Sequence, residues 1–171
     1  MRTTMHRWAL LGVVMACLMA MGLVAPANAA GTTQISGSGS YETEKNECGD
    51  APDGFDDYPG LIVKGDLDGC IFTDVLTARD LGAPSGIYLE TGREMFVGTV
   101  NGVEGTFQMA YRFESKWNPD VLTGPEVHGR CQHPIVAGSG TDVFAGVTGR
   151  LDFKDEVSTG MYFYRGHINF G

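Results

Sequence analysis

The sequence predicts an all-β domain, a closed antiparallel barrel of about eight strands. Three observations point there. Several segments alternate apolar and polar residues with period two, the pattern of a half-buried strand. Turn residues punctuate them at short intervals, and Asn101-Gly102 is the strongest hairpin signal, because both residues tolerate positive φ. The chain also carries 25 glycines spread along its length, which argues against a helical bundle. No segment reads as a long helix, a clean repeat or a low-complexity tract.

Taken in order, residues 1–29 read as an export signal. Arg2 and Arg7 precede an apolar run from Trp8 to about Val24, and Ala27-Asn28-Ala29 supplies a small-x-small cleavage site. Val14-Met15-Ala16-Cys17 loosely resembles a lipobox, but the apolar run continues past Cys17. Pro26 and the small residues favour cleavage over retention as a membrane span. The expectation is a secreted bacterial protein with no integral membrane segment once the signal is gone. Removing 29 of 171 residues leaves 142, enough for one core. With 43% hydrophobic and 19% charged residues, wholesale disorder is excluded. Net charge is −9, and −11 without Arg2 and Arg7; with no basic run, no nucleic-acid partner is expected.

Residues 30–60 read as a flexible arm, rich in glycine and serine, followed by an acidic loop holding Asp50, Asp53, Asp56 and Asp57. The barrel domain is placed at 61–171. Leu61 to Val63, Cys70 to Thr77 and Ile87 to Glu90 are candidate strands. Ile71, Val75 and Ala78 also fit a helix face, but β-branched content favours a strand. Met95 to Trp117 is the clearest hairpin. Phe107, Met109, Tyr111, Phe113 and Trp117 share one parity, with Gln108, Arg112, Glu114 and Lys116 on the other. From Glu126 to about Val136, Glu126, His128, Arg130 and Gln132 should face water, with Val127, Gly129, Cys131 and His133 opposite. Leu151 to Phe153 is a short strand. In Met161 to Phe170, Tyr162, Tyr164, Ile168 and Phe170 share a face.

Three cysteines remain after the signal: Cys48, Cys70 and Cys131. Three pairings are open, and the short separation of Cys48 and Cys70 makes their loop the cheapest to close. No Cys-x-x-Cys occurs, so neither a redox motif nor a zinc knuckle is indicated.

Other constellations are weak. The glycine-rich stretch 138–149 lacks the Gly-Lys-Ser/Thr of a P-loop and the third glycine of a dinucleotide fingerprint; it reads as a tight turn needing positive φ. Asp53, Asp56 and Asp57, or Asp66 and Asp68, offer calcium-type oxygens without EF-hand spacing, and read as solvated turns. His128, His133 and His167 with Cys131 invite a metal or a Cys–His nucleophile, but His128 points away from the others. Cys131 and His133 lie about 7 Å apart along a strand. No Gly-x-Ser-x-Gly elbow supports a hydrolase. Glu90 and Glu94 are read as exposed loop ends; at a barrel mouth, burial would suit them to proton transfer. No metal and no cofactor is expected.

The segments Phe96-Val97-Gly98-Thr99, Gly105-Thr106-Phe107 and Gly138 through Phe153 resemble the allene oxide cyclase-like barrels, to which dirigent proteins are related. The resemblance spans roughly 60–170 and rests on glycine spacings at strand ends. It implies an eight-stranded antiparallel barrel with a lumen. Members cyclise or couple small, mostly apolar molecules by shaping a reactive substrate, and many are oligomers, so a dimer or trimer is implied. No catalytic residue of that family maps onto this chain. By parity, Phe107, Met109, Tyr111, Phe113, Tyr162 and Tyr164 would line the lumen and bind a small apolar or aromatic ligand. The alternatives are a non-covalent cyclase or isomerase moving a proton with a buried Tyr or Glu, and an envelope protein without catalytic activity.

Overall fold

The computed structural model describes residues 31–43 and 47–170. The export signal read at 1–29, with Cys17, lies outside the described residues. Eight strands follow in order: β1 (Thr32–Tyr41), β2 (Leu61–Gly65), β3 (Leu67–Asp80), β4 (Ile87–Val100), β5 (Val103–Trp117), β6 (Glu126–Pro134), β7 (Thr148–Glu156) and β8 (Met161–Asn169). Each pairs antiparallel with its neighbour in sequence, and β1 pairs with β8 from Thr32↔Asn169 to Gly39↔Tyr162, closing an up-and-down barrel.

The β4–β5 hairpin forms as its turn chemistry dictates. Val100 pairs with Val103, and Asn101 and Gly102 take φ of 51° and 77°. Cys70 to Thr77 lies within β3, and Phe107, Met109 and Tyr111 face inward on β5.

Two expectations need correction. Residues 32–41 are not a flexible arm; they are β1, so the barrel begins at Thr32 rather than at 61. Glycine and serine depress strand propensity locally, but pairing with β2 and β8 overrides it. Gly37 faces inward, where a Cβ would stand 2.5 Å from the Tyr164 ring. The outer face of early β6 is also misread. A bulge sets Lys116↔His128 beside Trp117↔Glu126, which skips Val127. Val127 is therefore 53% exposed, while Glu126 turns inward with Gly129 and Cys131.

The interior differs at its two ends. At one end Phe96, Phe107, Met109, Leu151 and Ile168 pack without solvent contact. The segment 135–147 folds over this end. Its short 3-10 turn, Asp142–Phe144, drops Phe144 onto Phe96 and Phe107, with ring centroids 5.6 and 4.9 Å away. The positive φ at Gly138, Asp142 and Gly146 bends the chain as the glycine-rich stretch implied.

The acidic loop lies against the outside of β3. Phe55 packs on the outward-facing Cys70 and Phe72, and the Cys48–Cys70 disulfide pins it, with Cα atoms 5.7 Å apart. Asp57 Oδ2 accepts a hydrogen bond from Val75 N at 2.7 Å, and Asp56 bridges to Thr73. Asp66 accepts from Ser36 N at 2.7 Å, and Asp68 pairs with Lys64. These contacts give Asp57, Asp66 and Asp68 structural partners.

Reduction of the disulfide, or Cys48→Ala with Cys70→Ala, is expected to lower unfolding free energy by about 3 kcal/mol, the chain-entropy value for a loop of this size. Urea unfolding checks this; an unchanged midpoint would show that Phe55 packing alone holds the loop.

Candidate functional site

The inward parity of β4 runs Tyr88, Glu90, Gly92, Glu94, Phe96. It is apolar towards the solid end and acidic towards the other. There the barrel encloses a cavity of about 330 Å³. Tyr111, Phe113 and Trp117 of β5 line it, as do Glu126, Cys131 and His133 of β6, Asp155 of β7 and Tyr162 of β8. Tyr41, at the end of β1, and Tyr58, from the pinned loop, stand at its rim.

Glu90 is the centre of this end. It is 4% exposed and accepts three phenolic hydrogen bonds: from Tyr58 and Tyr88 at Oε2, 2.7 and 2.6 Å, and from Tyr111 at Oε1, 2.7 Å. A carboxylate taken from water needs such donors, because its desolvation costs several kcal/mol. Burial, then the bond to Glu90, pushes Tyr88 up to about 12; the same causes carry Tyr58 and Tyr111 further above the ordinary phenol range. All three are therefore fixed hydrogen-bond donors at neutral pH. Gly92 lets the Tyr111 ring lie against β4, since a Cβ there would stand 2.5 Å from Tyr111 Cε1.

Glu94, four residues on and so about 13 Å along the strand, makes a second centre. Its Oε2 lies 2.9 Å from His133 Nε2, outside the angular range of a hydrogen bond, and Thr73 Oγ1 reaches Oε1 only at 3.5 Å. His133 is held between Phe153 and Tyr111, with centroids 4.7 and 6.2 Å away. Cys131 shares its face, but burial raises the thiol, so it stays neutral and is a poor nucleophile.

Glu126 and Asp155 form the third centre, with Glu126 Oε1 and Asp155 Oδ2 converging over Gly129. Burial, then the neighbouring Asp155 carboxyl, raises Glu126 from its ordinary 4.5 to about 7. Burial raises Asp155 as well. One proton held between them is the arrangement two close carboxyls adopt.

Of the six residues expected to line the lumen, Tyr111, Phe113 and Tyr162 border the cavity. Phe107 and Met109 belong to the solid end. Tyr164 is also in the core, where its hydroxyl accepts from Leu67 N at 2.9 Å and so needs no ligand. Glu90 and Glu94 are not exposed loop ends: they are 4% and 8% exposed. Their signal was available as the period-two run from Tyr88 to Phe96. His128 faces outward on β6 and His167 outward on β8, so neither meets His133. Among the described residues no group of three His, Cys, Asp or Glu side chains is arranged to hold a metal.

Fold and site define a class: a closed antiparallel barrel with an acidic, aromatic cavity at one end. No family model, no curated protein and no solved structure matches the chain.

Two predictions follow from this geometry. Gly92→Ala should crowd Tyr111 away from Glu90 and cost about 1–3 kcal/mol, read by urea unfolding. Glu126 keeps its proton to about pH 7 when folded, but only to about 4.5 unfolded. The stability this proton confers is full below 4.5 and is lost as pH rises through 7; Asp155 acts in the same direction. The melting temperature of Glu126→Gln should therefore fall less than that of the native protein across this range. Parallel profiles would exclude the shared proton.

Proposed function

We propose that the protein is an exported binding barrel that holds a small apolar or aromatic molecule in the hollow end of its lumen. The observation that carries this reading is the cavity of about 330 Å³, walled by aromatic rings and closed below by a solid core. Binding pockets have this size and this mixture of apolar walls with a few converging polar groups. A barrel stabilised by packing alone has no use for a hollow end lined with buried carboxyls, whose desolvation costs free energy that hydrogen bonds must offset. That weighs against the inert envelope reading.

Export is supported by the leader sequence and by the Cys48–Cys70 disulfide, which persists in oxidising compartments. Among the described residues no helix is long and apolar enough to cross a membrane. Membership of the allene oxide cyclase-like barrels is part of the same proposal, supported by the closed eight-stranded order. So is assembly into a dimer or trimer.

A second reading, a non-covalent cyclase or isomerase, is favoured by one observation. Glu126 is raised to about 7 at the cavity wall, where it can donate and recover a proton at neutral pH.

Native mass spectrometry of protein secreted by its own host, beside a denatured sample, tests the binding reading and gives the assembly mass. The expected result is a small-molecule mass lost on denaturation. A neutral fluorescent probe, N-phenyl-naphthylamine, should bind in the cavity, and Phe113→Ala should weaken it about tenfold, the value of one truncated aromatic contact. No copurifying mass and no probe binding would sink the reading. Turnover of a bound polyunsaturated or phenolic compound would favour the second.

A further inference from the structure

The charge of the cavity wall restricts what it can hold. Glu90, Glu94, Glu126 and Asp155 all border it, and among the described residues no lysine or arginine does. His133 is the one basic group there. Four carboxyls therefore face the cavity with no fixed cation to compensate them. A neutral apolar guest would leave them so in a partly desolvated space, where unpaired charge is costly.

The wall also carries a cluster of aromatic rings. Tyr41 stands edge-on to Tyr162 with centroids 5.5 Å apart and tilts against Tyr58 at 6.3 Å, while Tyr88 meets Phe113 at 6.4 Å. Ring faces carry negative potential, and converging tyrosines attract an ammonium group even without a formal anion. Glu90 spends its oxygens on three phenols and reinforces them as donors, leaving their rings to form the wall. Glu94 is the second sign: it is only 8% exposed and on the cavity wall, and its Oε2 makes no aligned hydrogen bond although His133 Nε2 lies 2.9 Å away.

We propose that the molecule held in the lumen is an organic cation, an amine or quaternary ammonium on an apolar or aromatic body, seated between the tyrosine cluster and Glu94. This rests on the lumen-binding reading above and names its ligand class. A fatty acid, or any anionic guest, is disfavoured by the same wall.

The test is a calorimetric titration of the protein with three probes: benzyltrimethylammonium, its uncharged isostere neopentylbenzene, and benzoate. The cation is expected to bind at least about tenfold tighter than the isostere, the scale of a desolvated cation–π contact, and benzoate not at all. Glu94→Gln should remove most of this preference, lowering the affinity for the cation by a larger factor than that for neopentylbenzene. Tyr41→Leu, at the rim where refolding is least at risk, should weaken the cation selectively. Equal affinity for cation and isostere overturns the cation assignment and leaves lumen binding intact. Preference for benzoate does the same. Binding of none of the probes, together with failure of N-phenyl-naphthylamine, overturns both. A cation preference that survives Glu94→Gln and Tyr41→Leu overturns the seat proposed for it.

Discussion

Closure of the sheet through β1 and β8 is the constraint on which the rest of the molecule depends. Once closed, the barrel has no free edges, and every strand turns one parity of side chains into a shared interior. That interior must then be filled, or its polar groups satisfied, over its whole length. Gly37 serves the filling, because a side chain there would strike the Tyr164 ring. The strand first read as an arm is thus the one that makes an inside possible.

The two ends meet this constraint differently. Phe96, Phe107 and Phe144 fill one end by interlocked rings, dispersion contacts that need no hydrogen-bond partners. The other end receives Glu90, Glu94, Glu126 and Asp155. Glu90 is accommodated because three phenols donate to it, each a charge-assisted bond of about 1.5–3 kcal/mol. One of these phenols, Tyr58, comes from the outer loop, so the Cys48–Cys70 link on the exterior also steadies a donor at the mouth. The fold therefore concentrates its structural compromises at the hollow end. That is where departures from an ideal core are expected to serve function.

Much of the architecture was legible because its signals are local. Asn101-Gly102 specifies its own turn, and the alternation from Phe107 to Tyr111 needs only the pleat of one strand. The cheap loop between Cys48 and Cys70 follows from their separation of 22 residues. The candidate site was less legible. Aromatic parity found Tyr111, Phe113 and Tyr162, but it also gathered Phe107, Met109 and Tyr164, which differ only in their height along the barrel. Glu90 and Glu94 share the parity of Phe96, yet a glutamate is ordinarily a surface residue, and that expectation outweighed the alternation.

What the sequence determined by itself was where most strands after residue 61 lie, with Ile87–Glu90 and Phe96–Val100 joining as the single β4, the Asn101-Gly102 turn, and the period-two alternation of strands such as β5. These depend on steric and solvation preferences within a few residues. The tertiary structure alone decided that 32–41 would be a strand, that Val127 would be skipped so Glu126 turned inward, and which end would stay hollow. Each of these depends on pairing between segments distant in sequence. A glycine-serine strand acquires its hydrogen bonds only from its neighbours, and a bulge exists only in the register of two strands.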